Sequence, residues 1–124
     1  MHTGKGARYR EIVDRFEKIA RANLEASRVA GLRGALGVSA RTLARAFREI
    51  HATTPLRYLH GLRLAEARTA LESADPATTV TEIATRFGFR ELGRFAAEYR
   101  ATFGEPPSQT LYGDAKARHR ADSG

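Results

Sequence analysis

Apolar residues recur with a helical period along most of the chain, and no stretch alternates as a half-buried strand would. Over residues 8–24, Ile12, Val13, Phe16, Ile19, Ala20 and Leu24 fall on one helical face. The polar stretch Glu25 to Arg28 separates them from a short segment carrying Leu32 and Leu36, which stops at Gly37. Ser39 follows the Gly37-Val38 turn and is a natural N-cap for a helix over Ala40 to Ile50. On that helix Leu43, Phe47 and Ile50 form the inward ridge, leaving Arg41, Thr42, Arg45 and Arg48 outward. Thr54 as cap and Pro55 in the first turn open a longer helix that reaches about Ser73. Its apolar positions are Leu56, Leu59, Leu62, Ala67, Ala70 and Leu71. Asp75-Pro76 ends it, and Thr79-Val80-Thr81-Glu82 is a capping box that starts the next helix. Phe95, Tyr99 and Phe103 ridge the last long helix, which Gly104 and Pro106-Pro107 stop.

The chain states one pattern twice. Leu32, Leu36, Gly37 and Val38 match Ile83, Phe87, Gly88 and Phe89, and beyond the turn the second copy carries one extra residue. Leu43, Phe47, Arg48 and Pro55 then match Phe95, Tyr99, Arg100 and Pro107. Each copy is a short apolar helix, a glycine and a longer helix opening with polar and basic residues. That is the helix-turn-helix arrangement, whose second helix is offered to the DNA major groove. The expected fold is all-α, about seven helices, with two homeodomain-like helix-turn-helix subdomains joined by a long central helix. The expected boundaries are a disordered start over 1–7 and a first subdomain over 8–53 with its motif near 29–50. A linker helix over 54–74 follows, then a second subdomain over 75–112 with its motif near 80–103, and a disordered tail over 113–124. As a helix, residues 55–73 span about 28 Å. Successive major grooves on one face of B-DNA lie ~34 Å apart.

Charge sharpens this picture. Lys and Arg number 21 against 14 acidic residues, a net charge of +7. Arginine supplies most of the excess, and its planar fork suits phosphates and guanine edges. The chain has no cysteine, which removes disulfide frameworks and thiolate zinc sites. His2, His51, His60 and His119 lack metal-ligand spacing, so no metal and no cofactor are expected. No paired acids, Ser/His/Asp set or phosphate loop has workable spacing, so no catalytic residue is assigned. No apolar run approaches the ~18 residues that a bilayer span needs, and no signal peptide is visible. The expectation is a cytoplasmic, nucleoid-associated protein with no membrane partner.

Taken in order and spacing, three segments resemble the DNA-binding domain of the AraC/XylS family of bacterial transcription regulators. They are LGVSARTLARAFRE (36–49), TPLRYLHGLRLAEARTAL (54–71) and TVTEIATRFGFRELGRFAAEYRATFGEPPS (79–108). The resemblance runs from about Arg8 to Leu111. It implies sequence-specific binding of double-stranded DNA, with two recognition helices entering adjacent major grooves from one monomer. It favours activation through RNA polymerase. On the first recognition helix it points to Ser39, Arg41, Thr42, Arg45 and Arg48; on the second, to Arg90, Leu92, Arg94 and Arg100. Most members carry an N-terminal effector-binding, dimerising domain, which does not fit within Met1 to Ala7; the expectation is a monomer as this chain, controlled by its abundance, or else the reading half of a longer regulator that could dimerise if a sensor domain is missing.

The chain departs from the family pattern at several positions. Arg33 stands where the second copy has the small Ala84, and Arg28 stands where it has the capping Thr79. Gly31 and Gly34 lie inside the first support helix, which predicts that this helix leans on the 8–24 helix. Ala52 replaces the glycine expected after the first recognition helix, Arg90 replaces a short polar cap, and Thr110 replaces an aromatic. In the second copy the base-facing positions are Leu92, Gly93 and Ala97, which offer no hydrogen bond to a base edge. Direct readout is therefore expected mainly from Arg41 and Arg45, with the second helix supplying charge and groove shape. The competing reading is a helical protein-interaction adaptor that kept the fold and lost DNA binding.

Overall fold

A computed structural model describes residues 3–113, which contain seven helical segments and no strand. They are α1 (Thr3–Ala22), α2 (Val29–Leu36), α3 (Ala40–His51), α4 (Pro55–Glu72), α5 (Val80–Arg86), α6 (Leu92–Phe103) and α7 (107–113). Met1, His2 and the expected tail from residue 114 onward lie outside the described residues. The expected disordered start is corrected over residues 3–7: α1 begins at Thr3, because Tyr9 extends the apolar stripe a turn upstream and is buried with Ile12, Val13, Phe16 and Ala20. Gly113, expected in the tail, is the last residue of the 107–113 helix.

Two compact units divide at Arg63 and Leu64. The stretch expected as a separate linker is thus shared. Leu59 and Leu62 of α4 join the first core, while Leu64, Ala67 and Leu71 join the second.

In the first unit α1 packs chiefly on α3. Phe16 meets Phe47 edge to face at 4.7 Å between ring centroids, within the range that favours aromatic pairs. The fully buried small residues of this unit, Ala20 and Ala46, sit on those same two helices, so their backbones approach closely. α2 buries Leu32 and Leu36 in the core, packs Val29 against it, and has no side-chain N-cap at Arg28. It does lean on α1, as its glycines predict. Gly31 and Gly34 are exposed, and a Cβ at either position would meet nothing within 4 Å. Gly31→Ala and Gly34→Ala should each raise stability by about 0.5–1 kcal/mol through the entropy of the unfolded chain, read as a higher thermal midpoint.

Arg63 ties the loop after α1 to the first unit. Although charged, it is buried, donating from Nε to the Leu24 carbonyl at 3.3 Å and from its guanidinium to the Ser27 carbonyl. Burial, helped by the neighbouring Arg28 charge, lowers its pKa. Tyr58, also on α4, donates its hydroxyl to the Glu17 carboxylate. Burial and that hydrogen bond push its pKa up to about 12. Leu56, expected among the apolar positions of α4, is instead 64% exposed.

The second unit collects α5, α6 and the end of α4 around Phe95 and Tyr99, both fully buried. Thr79 caps α5 by accepting from the Glu82 N–H at 3.1 Å. Ala84 is fully buried, as the family pattern leads one to expect of a small residue there. Thr110 has a structural reason: its buried hydroxyl accepts from the Tyr99 hydroxyl at 2.8 Å, satisfying a polar group that would otherwise be stranded in the core. Burial raises the Tyr99 pKa.

Candidate nucleic-acid interface

The turn before α3 is built by two local devices. Gly37 adopts the left-handed region at φ 67°, where glycine carries no Cβ penalty, and closes α2 through bonds to Arg33 and Gly34 carbonyls. Ser39 Oγ then accepts from the Thr42 N–H at 3.1 Å and donates to Thr42 Oγ1 at 3.0 Å. This pair starts α3 and places Thr42 partly inside, with Ser39 exposed beside it. At the far end Ala52 takes a left-handed φ of 53° in place of glycine, at a cost of about 1 kcal/mol.

With Leu43, Ala46 and Phe47 buried, roughly 100° of rotation per residue brings Arg41, Arg45 and Arg48 into one outward stripe about 60° wide. All three are exposed. None makes a side-chain hydrogen bond or ion pair with another described residue, nor do Arg90, Arg94 and Arg100. Among the described residues, Glu49 and Glu91 form no ion pair with these cations.

The second copy is built differently at its cap. The N-cap of α6 is Glu91, not Arg90, and its side chain makes no capping bond. The register explains this: with the extra residue in the second turn, Glu91 matches Ser39, and Arg90 lies in the turn itself. The positions matching Arg41, Arg45 and Arg48 are Gly93, Ala97 and Arg100, so the outward stripe carries one cation instead of three. Arg94 flanks this stripe, and Leu92 is 42% exposed at the first turn.

Two residues beside the first stripe escaped the sequence reading. Lys5 and Tyr9 line a cleft together with Arg45 and Arg48. The available signal was their spacing: Lys5, Tyr9, Val13 and Phe16 continue one helical face. Among the described residues no helix is long and apolar enough to cross a membrane.

Comparison with known proteins fits this geometry. Residues 32–112 match the family described as "Helix-turn-helix domain". The chain is similar to a "Probable thc operon regulatory protein" of Rhodococcus erythropolis, 46% identical over 100 residues, covering 80% of this chain and 29% of that one. Thus it spans under a third of that relative's length. A solved probable AraC family transcriptional regulator from Rhodopseudomonas palustris superposes with a TM-score of 0.77 at 33% identity, covering 84% of this chain and 97% of that one. The DNA-binding domain of AdpA, a global transcriptional factor solved in complex with a target DNA, superposes with a TM-score of 0.65 at 29% identity, covering 94% and 97%. The matched repeat, its caps and its two cores place the chain in one family: it belongs to the AraC-type helix-turn-helix transcription regulators.

Proposed function

We propose that this chain binds double-stranded DNA in a sequence-specific way, with unequal contributions from its two recognition helices. The observation that carries this reading is the contrast between the stripes. Arg41, Arg45 and Arg48 stand exposed on α3 and unpaired among the described residues, whereas α6 presents Gly93, Ala97 and Arg100 at the matching positions. Arg41 and Arg45 read base edges, with bidentate contact to guanine as the favoured geometry. Ser39 and Thr42 order the start of α3 and lie close to the backbone, and Arg48 completes the stripe. Arg90, Arg94 and Arg100 hold phosphates, and Leu92 offers an apolar contact to a thymine methyl. As part of a regulator, such a unit activates transcription by placing RNA polymerase contacts beside the bound site.

Selection of bound duplexes from random DNA tests the reading. It should return one sharp segment and one diffuse segment; two equally sharp segments would contradict the asymmetry, and no enrichment would favour the adaptor. Arg94→Ala should weaken binding to all sequences alike and flatten the plot of log affinity against log salt by about one unit, because each phosphate contact releases roughly one counterion. A change confined to one base position would instead make Arg94 a reader.

A further inference from the structure

Beside the recognition helix lies a cleft of about 580 Å³ between α1 and α3. Lys5, Gly6 and Tyr9 line it from α1, and Arg45, Arg48, Glu49 and Ile50 from α3. Three cations from two helices thus face one open space, with Glu49 the acidic side chain in its lining. Lys5 is positioned by its own helix: its Nζ lies 5.9 Å from the centroid of the Tyr9 ring, within cation–π range. Tyr9 is itself only 8% exposed and belongs to the core that α1 shares with α3. The lysine therefore stands on a ring anchored to the helix that carries Arg45 and Arg48. It makes no ion pair with a described residue.

We infer that this cleft holds a backbone phosphate of the DNA, with Lys5 as a contact supplied from outside the helix-turn-helix motif. This rests on the DNA-binding reading above and deepens it. An arginine stripe lying along a groove brings the adjacent phosphate backbone to the edge of α3, and the cleft opens at that edge. A phosphodiester oxygen there meets the ammonium of Lys5 and the guanidinium of Arg48, while Arg45 remains free for a base edge. Gly6 leaves the α1 wall of the cleft without a side chain, and a Cβ there would meet nothing within 4 Å. Glu49 opposes the anion, so its neutral variant should act in the reverse sense to loss of the lysine.

The test uses the duplex that the parent chain enriches from random sequence, followed by a scan in which one phosphate at a time is replaced by a neutral methylphosphonate. Lys5→Ala should weaken binding roughly three- to tenfold on specific and random duplexes alike, and lower the salt slope by about 0.9. Lys5→Arg should restore both, which separates lost charge from a frayed helix start. Glu49→Gln should tighten binding. One neutral linkage should weaken the parent chain by the same factor as Lys5→Ala and weaken that variant no further. Equal salt slopes for parent and Lys5→Ala would overturn the proposal and leave the DNA-binding reading standing. So would a set of neutral-linkage penalties that all survive in the variant. A parent chain that enriches no duplex would remove both.

Discussion

Ala84→Arg should unfold the second unit. Ala84 is fully buried on α5, in the same core as Ile83, Phe87, Phe95 and Tyr99. An arginine there adds several heavy atoms to a packed interior, which alone costs about 1–3 kcal/mol. It also carries a charge into a cluster whose polar groups, the Tyr99 and Thr110 hydroxyls, are already paired with each other. An unpaired buried charge adds several kcal/mol more. The sum exceeds about 4 kcal/mol, a large share of what a domain possesses. Circular dichroism should show a substantial loss of helix at 25 °C, and proteolysis should cut first within residues 64–113. The paired control is Arg33→Ala at the matching position of α2. Arg33 is half-buried with no side-chain partner among the described residues, so its removal should leave the melting temperature unchanged or raise it. A large fall with Arg33→Ala would show that the two copies do not correspond there.

Arg45→Ala should cost roughly 1–3 kcal/mol on the best site and relax preference at one base position. The residue lies nearly two turns past the Ser39 cap, in the middle of the outward stripe and without an ion pair to any described residue. Its loss leaves Leu43, Ala46 and Phe47 untouched, so the melting temperature should move little. Titrating the variant against the selected duplex and a scrambled one separates the two roles open to an arginine here. Weakening confined to the selected duplex identifies a base contact. Equal weakening on both would make Arg45 a phosphate contact and move the readout to Arg41.

Features written in local chemistry were legible in the sequence. Ser39, Thr54 and Thr79 cap helices because a hydroxyl reaches a backbone N–H three residues on, a bond that needs no distant partner. The ridges of Leu43 and Phe47, and of Phe95 and Tyr99, follow from period alone. Features that depend on distant partners were not legible. Arg63 sits in an apolar run as a charged residue, and its burial makes sense only with the Leu24 and Ser27 carbonyls, 39 and 36 positions away. Leu56 fits the apolar period yet remains exposed. At Glu91 the extra residue in the turn moved the cap by one position, which the eye places on Arg90. The arginines of α3 were legible as outward-facing, but the lysine standing beside them was hidden by a glycine-rich start that offers no cap signal.

The partition of α4 has a consequence for how the protein is made. A ribosome releases the chain from its amino end, and domains generally fold as units in that order. Leu59, Leu62 and Arg63 are the last residues that the first unit needs, and Leu64 is the first core residue of the second. The loop after α1 therefore stays unlatched until the nascent chain has emerged to Arg63, after α3 itself is complete. A nascent chain that has emerged only as far as His51 can pack α3 on α1 but lacks Leu59 and Leu62, which complete that core. A chain that has emerged through Arg63 holds all the parts of the first unit before any core residue of the second is exposed.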